Sequence, residues 1–173
     1  MTLDEDDLRV NPNKVCVVSA YHTEPQEIFS FERTVRANDF TLARILNYQY
    51  SKLHKYKFFW KTINNSKHEN DALYEHMSLI LQDYKTNKNQ CEFIIGIHPF
   101  TYVRSNERIC GVLKHYKIAY GGNRMVVAGD PDVISFVVLH NSPLYDDTQK
   151  LLDSLYLYNA LEEGVVFAEE EFF

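Results

Sequence analysis

The sequence predicts an α/β domain, a mostly parallel sheet with helices on both faces. Three observations carry this. Short runs rich in β-branched and other apolar residues, KVCVVSAY (14–21) and CEFIIGI (91–97), show no polar alternation, as expected of strands buried on both faces. Segments with apolar residues at helical spacing lie between the strand-like runs. Strands and amphipathic helices alternate along the chain, which favours parallel strands joined by helical crossovers.

The elements follow in order. KVCVVSAY is the first strand, and the polar HTEPQE follows it. Over 34–54, Val35, Leu42, Ile45, Leu46, Tyr50 and Leu53 recur at helical spacing, and they are the expected core face of the first helix. YKFFW (56–60) is the second strand. Leu73, Met77, Ile80, Leu81 and Tyr84 form a stripe that predicts a helix over 69–85. CEFIIGI is the third strand, and 106–116 is a short helix. GGNRM (121–125) and GDPD (129–132) read as turns, with MVVAG between them as a brief extended piece. VISFVVLH (133–140) is a further strand. A last helix is expected over 141–161, opened by Ser142-Pro143 as cap and first-turn proline, with Leu144, Leu151, Leu152, Leu155 and Tyr158 inward. Tyr145-Asp146-Asp147 would then lie in its first turn, where aspartates complement the helix dipole.

One domain is expected over 14–162, between an acidic N-terminal segment (1–13) and an acidic C-terminal tail (163–173). The net charge of −6 argues against a nucleic-acid binder, which needs a basic face. No apolar run is long enough to span a bilayer, and the acidic start does not resemble a secretory signal. Three scattered cysteines, Cys16, Cys91 and Cys110, read as free thiols of a reducing compartment. A soluble, intracellular protein is the expectation.

Ligands of open α/β sheets bind beyond the carboxyl ends of the strands. Ser19 to Thr23 and His98-Pro99-Phe100 are therefore the places to search. No Walker loop, G-x-G-x-x-G, G-x-S-x-G or H-E-x-x-H is present. His22, His98 and His140 fall near strand ends and could converge, but they lack metal-ligand spacing. His54, His68, His76 and His115 read as surface residues. Asp130 and Asp132 are explained by their turn.

Taken together, these segments resemble a family. NYQYSKLHKY carries Asn47, Tyr50, His54 and Tyr56 at the spacing N-x-x-Y-x-x-x-H-x-Y. That element is similar to one in GT-A-fold glycosyltransferases of the galactosyl/mannosyl-transferase group, the yeast mannan and plant xyloglucan type. KVCVVSAY, DALYEHMSLILQDY, FIIGIHPFTYV and DVISFVVLHNSPLYDDTQKLLDSLY resemble further family elements in the same order, over roughly 14–158.

The resemblance implies a GT-A-like, nucleotide-diphospho-sugar transferase fold, shortened here. In the family the third strand ends in Asp-x-Asp, which holds Mn²⁺ or Mg²⁺ against the donor diphosphate. Here those positions are His98 and Phe100. The Asn-Ser/Thr-Gly element becomes Val133-Ile134-Ser135, no histidine follows His140, and the chain stops where the acceptor region would continue.

The implied protein is a transferase-like pseudoenzyme without a metal or other cofactor. Mn²⁺ or Mg²⁺ would need an unforeseen site. Its role would be a binding or structural module with protein assembly partners. A composition rich in Phe, Tyr, Asn, Lys and Ile hints at an AT-rich genome and so at a viral setting, which could include the particle itself. The alternative is an active, metal-independent transferase, with a nucleotide sugar contacted by Ser19, Tyr21, Thr23, Asn47, His98 and Arg104. In it Arg104, Arg108 and Arg124 would replace the cation.

Overall fold

A computed structural model describes residues 10–22, 39–63, 71–86, 91–119, 122–129, 134–142, 145–156 and 165–168. Thr23, Val35, His68, Asp130, Asp132, Leu144, Tyr158 and most of both acidic ends lie outside the described residues.

A 3-10 turn, Pro12–Lys14, leads into the first strand, with the Asn11 side chain accepting from Asn13 N. In chain order the elements are β1 (Val15–Tyr21), α1 (Asp39–His54), β2 (Lys57–Thr62), α2 (Asp71–Thr86), β3 (Phe93–Ile97) and α3 (Ile109–His115). They continue with β4 (Met125–Gly129), β5 (Ile134–His140), α4 (Thr148–Tyr156) and β6 (Val165–Ala168).

The strands form one sheet, ordered β2-β1-β3-β5-β4-β6. β1 pairs parallel to β2 and β3, and β6 parallel to β4, while β5 runs antiparallel to both of its neighbours. Five strands therefore point one way and β5 points back. The α/β, mostly parallel sheet expected from the sequence is present. The reversal of β5 follows from its link to β4, which is only four residues long. A parallel crossover needs a dozen or more.

Alternate residues of each strand feed two cores. Cys16 and Val18 of β1 pack with Leu73, Met77 and Leu81 of α2 and Leu151, Leu152 and Leu155 of α4. Val15 and Val17 face the opposite layer, with Tyr50 of α1 and Ile109, Cys110 and Leu113 of α3. Helices thus cover both faces. α2 comes close to the sheet because Gly96 has no side chain: a Cβ there would lie 2.6 Å from Met77 Sδ.

Several expectations need correction. α1 does not bury the predicted leucine stripe. Leu42 and Leu53 are 47% and 60% exposed, and the buried residues are Phe40, Thr41, Ala43, Asn47, Tyr50 and Ser51. Polar side chains are buried there because each finds a partner. Ser51 Oγ, for example, donates to Asn47 O at 2.8 Å.

α4 begins at Thr148 rather than at Ser142-Pro143, and Asp147 O accepts from Leu151 N at its start. Tyr145 and Asp146 therefore precede the helix. The sheet also extends beyond residue 162, because β6 lies within the segment read as a tail. Cys16 and Cys91 form a disulfide, with Cα atoms 5.7 Å apart, so two of the three expected free thiols are paired. Cys110 stands outside that bridge, buried on α3.

Candidate functional site

The ends of β1, β2 and β3 lie side by side, as the parallel pairing dictates. Ser19 lies near the end of the buried part of β1, which Ala20 completes. Its hydroxyl donates to Ile97 O at 2.8 Å and so ties β1 to β3. The opposite face of the same residue is held from α2, where His76 Nδ1 lies 3.0 Å from Ser19 O. His76 is buried rather than on the surface, and that burial pushes its pKa down.

Beyond Ser19 the strand ends carry aromatic rings. Tyr21 packs on His22, Phe40 and Phe100, with ring centroids 4.1, 4.8 and 5.2 Å apart. Phe40 stacks on Trp60 at 6.4 Å and meets Phe100 edge-on at 6.2 Å. Edge-to-face and offset pairs of this kind are mutually attractive.

His98-Pro99-Phe100 forms a tight turn at the end of β3, closed by Thr101 N donating to His98 O at 2.9 Å. His98 and Pro99 are buried, and Phe100 is half-exposed. His98 N donates to Ser135 O at 3.0 Å, which anchors the turn to β5. His98 Nδ1 accepts from Phe100 N at 3.2 Å, so that lone pair is turned to its own backbone.

The two positions that resemble a metal pair therefore offer an engaged imidazole nitrogen and a phenyl ring. A hard divalent cation needs several oxygen ligands. This donor set does not fit Mn²⁺ or Mg²⁺, and among the described residues no three His, Cys, Asp or Glu side chains cluster as a metal set.

The segment after this turn is held by the motif first noticed in the sequence. Asn47 Nδ2 donates to Thr101 O at 2.9 Å, and Asn47 Oδ1 accepts from Val103 N at 3.0 Å. Tyr50 OH donates to Glu107 O at 2.8 Å, and Tyr56 OH accepts from Ile109 N at 3.0 Å. That last bond satisfies one of the N–H groups left open at the start of α3. The His54 ring packs against both tyrosines. Asn47, Tyr50, His54 and Tyr56 thus act as one clamp on 101–109. The α1 C-terminus supports it: Lys55 adopts a left-handed φ of 62°, and Tyr56 N donates back to Ser51 O at 2.8 Å.

Between α1 and the clamped segment runs a groove of about 500 Å³, lined by Leu46, Gln49, Tyr50, Leu53, Tyr102, Val103, Arg104 and Asn106. Arg104 is exposed on it, and Arg108 is exposed at the start of α3.

Arg124 is elsewhere. It precedes β4, at the end of the sheet opposite His98. There it pairs with Asp147 at 2.7 Å and lies over the Tyr145 ring at 4.1 Å. That guanidinium holds the Asp147 carboxyl below its usual range. His140 shares this far end, because the reversed β5 carries its C-terminus there. It stacks on Phe93 at 4.8 Å, and convergence with His22 and His98 is ruled out.

Of the predicted site residues, Tyr21 and His98 come together through Phe100. Ser19 is buried beneath them, Asn47 is in the clamp and Arg104 is in the groove. The burial of His76 was detectable, since it lies three residues after Leu73 and four before Ile80. The disulfide gave no local signal.

A solved structure is similar to this chain in fold: a glycosyltransferase involved in the glycosylation of the major capsid of PBCV-1. The TM-score is 0.57 at 10% identity, over 90% of this chain and 82% of that chain. The fold is glycosyltransferase-like. At that identity the likeness is one of fold alone. No family model matches the sequence, and no curated protein does. Among the described residues no helix is long and apolar enough to cross a membrane.

Proposed function

We propose that this glycosyltransferase-like chain has lost metal-dependent sugar transfer and serves as a binding or structural module. We take its origin to be the galactosyl/mannosyl-transferase group of the yeast mannan and plant xyloglucan type. The observation that carries the reading is the aromatic packing at the end of β3. Transfer from a nucleotide sugar builds negative charge on the leaving diphosphate, and a cation held by two carboxylates offsets it. Phe100 contributes no ligand, and its ring packs on Tyr21 and Phe40.

The outward face of α1 supports the role as a module. Leu42, Tyr48 and Leu53 on the helix, with the neighbouring Tyr102, are exposed large apolar side chains. The capsid-related role of the similar enzyme supports a viral setting, with protein partners in an assembly.

A second reading, metal-independent transfer, is favoured by the exposure of Arg104 and Arg108 just beyond β3. Two guanidinium groups would then stand in for the cation.

Release of UDP or GDP from nucleotide sugars, assayed with and without Mn²⁺, separates the two. The primary reading expects no release above the protein-free rate in either case. Metal-independent release that Arg104→Ala abolishes would establish the second reading. Mn²⁺-dependent release would contradict both.

A further inference from the structure

We infer that this chain matures by oxidation, and that Cys16 and Cys91 are the modification site on which a disulfide donor acts. Two features of the fold bring these residues together, and neither depends on the sulfurs. β1 and β3 are adjacent parallel strands, with Cys16 opposite Ile94. The residues just before β3 are stitched on both sides: Glu92 N donates to Lys14 O at 2.8 Å, Asn141 N donates to Glu92 O at 2.7 Å, and Asn141 Nδ2 donates to Cys91 O at 3.3 Å. The backbone therefore fixes the Cα separation of 5.7 Å, which lies within the range a disulfide spans.

Both cysteines are fully buried, in the core that α2 and α4 close over the sheet. Burial gives the bond a direction in time. A thiolate must reach the donor disulfide to exchange with it, and a thiol in a dry core does neither. The bond forms before α2 and α4 close, and the finished core then shields it from reductants.

The step balances by exchange. One chain thiolate attacks the donor disulfide and forms a mixed disulfide, releasing one donor thiol. The second chain thiolate displaces the other donor thiol. Two chain thiols become one disulfide and one donor disulfide becomes two thiols. The donor class is a protein or small-molecule disulfide, oxidised glutathione being the simplest.

Bridging residues separated by 75 positions constrains the unfolded chain strongly. Structural disulfides of this kind persist in oxidising settings, extracellular or on the surface of a particle, and are rare in a reducing cytosol. The expectation of free thiols at Cys16 and Cys91 gives way to the bridge, and the proposal places the chain in such an oxidising setting.

The test uses the whole chain, reduced and denatured, then refolded either with a glutathione redox buffer or with dithiothreitol. Thiols are counted by mass after alkylation in denaturant. We expect one alkylated thiol per chain, Cys110, after refolding with glutathione, and three after refolding with dithiothreitol. The bridged form should melt about 10 °C higher. It should also keep its bridge in native dithiothreitol and lose it when denaturant is added. Cys110→Ala should preserve the difference, and Cys16→Ala/Cys91→Ala should remove it. Three alkylated thiols after refolding with glutathione, or equal melting temperatures, would overturn the inference.

Discussion

Phe100 stands edge-on to Tyr21, with ring centroids 5.2 Å apart and planes at 77°. The two residues come from the ends of adjacent strands, and under the proposed function their contact closes the place where a metal-dependent transferase would hold its cation. Half of the Phe100 surface is already exposed, so the contact is modest in energy. Phe100→Ala should lower stability by about 1–2 kcal/mol, read as a shift in the urea midpoint. A loss above about 4 kcal/mol would mean that the ring is a core residue and not a cover.

Asn47 should be more costly to remove than its polarity suggests. Its amide donates to Thr101 O and accepts from Val103 N, and the side chain is buried. Asn47→Ala leaves both groups without this partner, for a loss of about 2–3 kcal/mol. Hydrogen exchange should accelerate at the Val103 amide. If exchange there is unchanged, Asn47 does not clamp the segment.

Gly96→Ala would place a Cβ 2.6 Å from Met77 Sδ, inside van der Waals contact. Overpacking of this kind costs about 1–3 kcal/mol. The cost should shrink in a Met77→Ala background, because the two sites share the same space. Additive losses in the double variant would show that Met77 is not the obstacle.

His76 should make the fold sensitive to mild acid. Its folded pKa is lowered by burial, so below about pH 6.5 the unfolded chain binds a proton that the folded chain resists. Above that pH both states are neutral at this residue and it adds no pH dependence. Stability therefore falls as the pH drops below the unfolded value, and levels off below the folded one. Urea midpoints measured from pH 7.5 to 5 should fall less in His76→Gln than in the parent. Parallel curves would remove His76 as the cause.

The strands β1, β2, β3 and β5 were legible because each run is compact and apolar, as in VCVVSAY and FIIGI, whereas their order in the sheet was not. The reversal of β5 was not read from the sequence, although the four-residue link to β4 carries it. α1 misled because helical spacing identifies a stripe but not the side that packs. Leu42 and Leu53 form a good stripe, yet the buried side holds Asn47 and Ser51; Ser51 bonds one turn back to Asn47 O, but no periodicity reveals the partners of the Asn47 amide. Thr101 and Val103 lie more than fifty residues from Asn47. The disulfide failed to show for the same reason, since Cys16 and Cys91 become neighbours only when β1 pairs with β3 and the residues before β3 are tied to Lys14 and Asn141.

If the end of β3 supports no metal chemistry, Mn²⁺ should leave nucleotide-sugar binding unchanged. Calorimetric titration of the intact chain with UDP- and GDP-sugars, with and without Mn²⁺, measures this. Any binding heat and affinity should be the same in both conditions. A nucleotide sugar that binds only with Mn²⁺, or at least tenfold more tightly with it, would show that a metal site survives there.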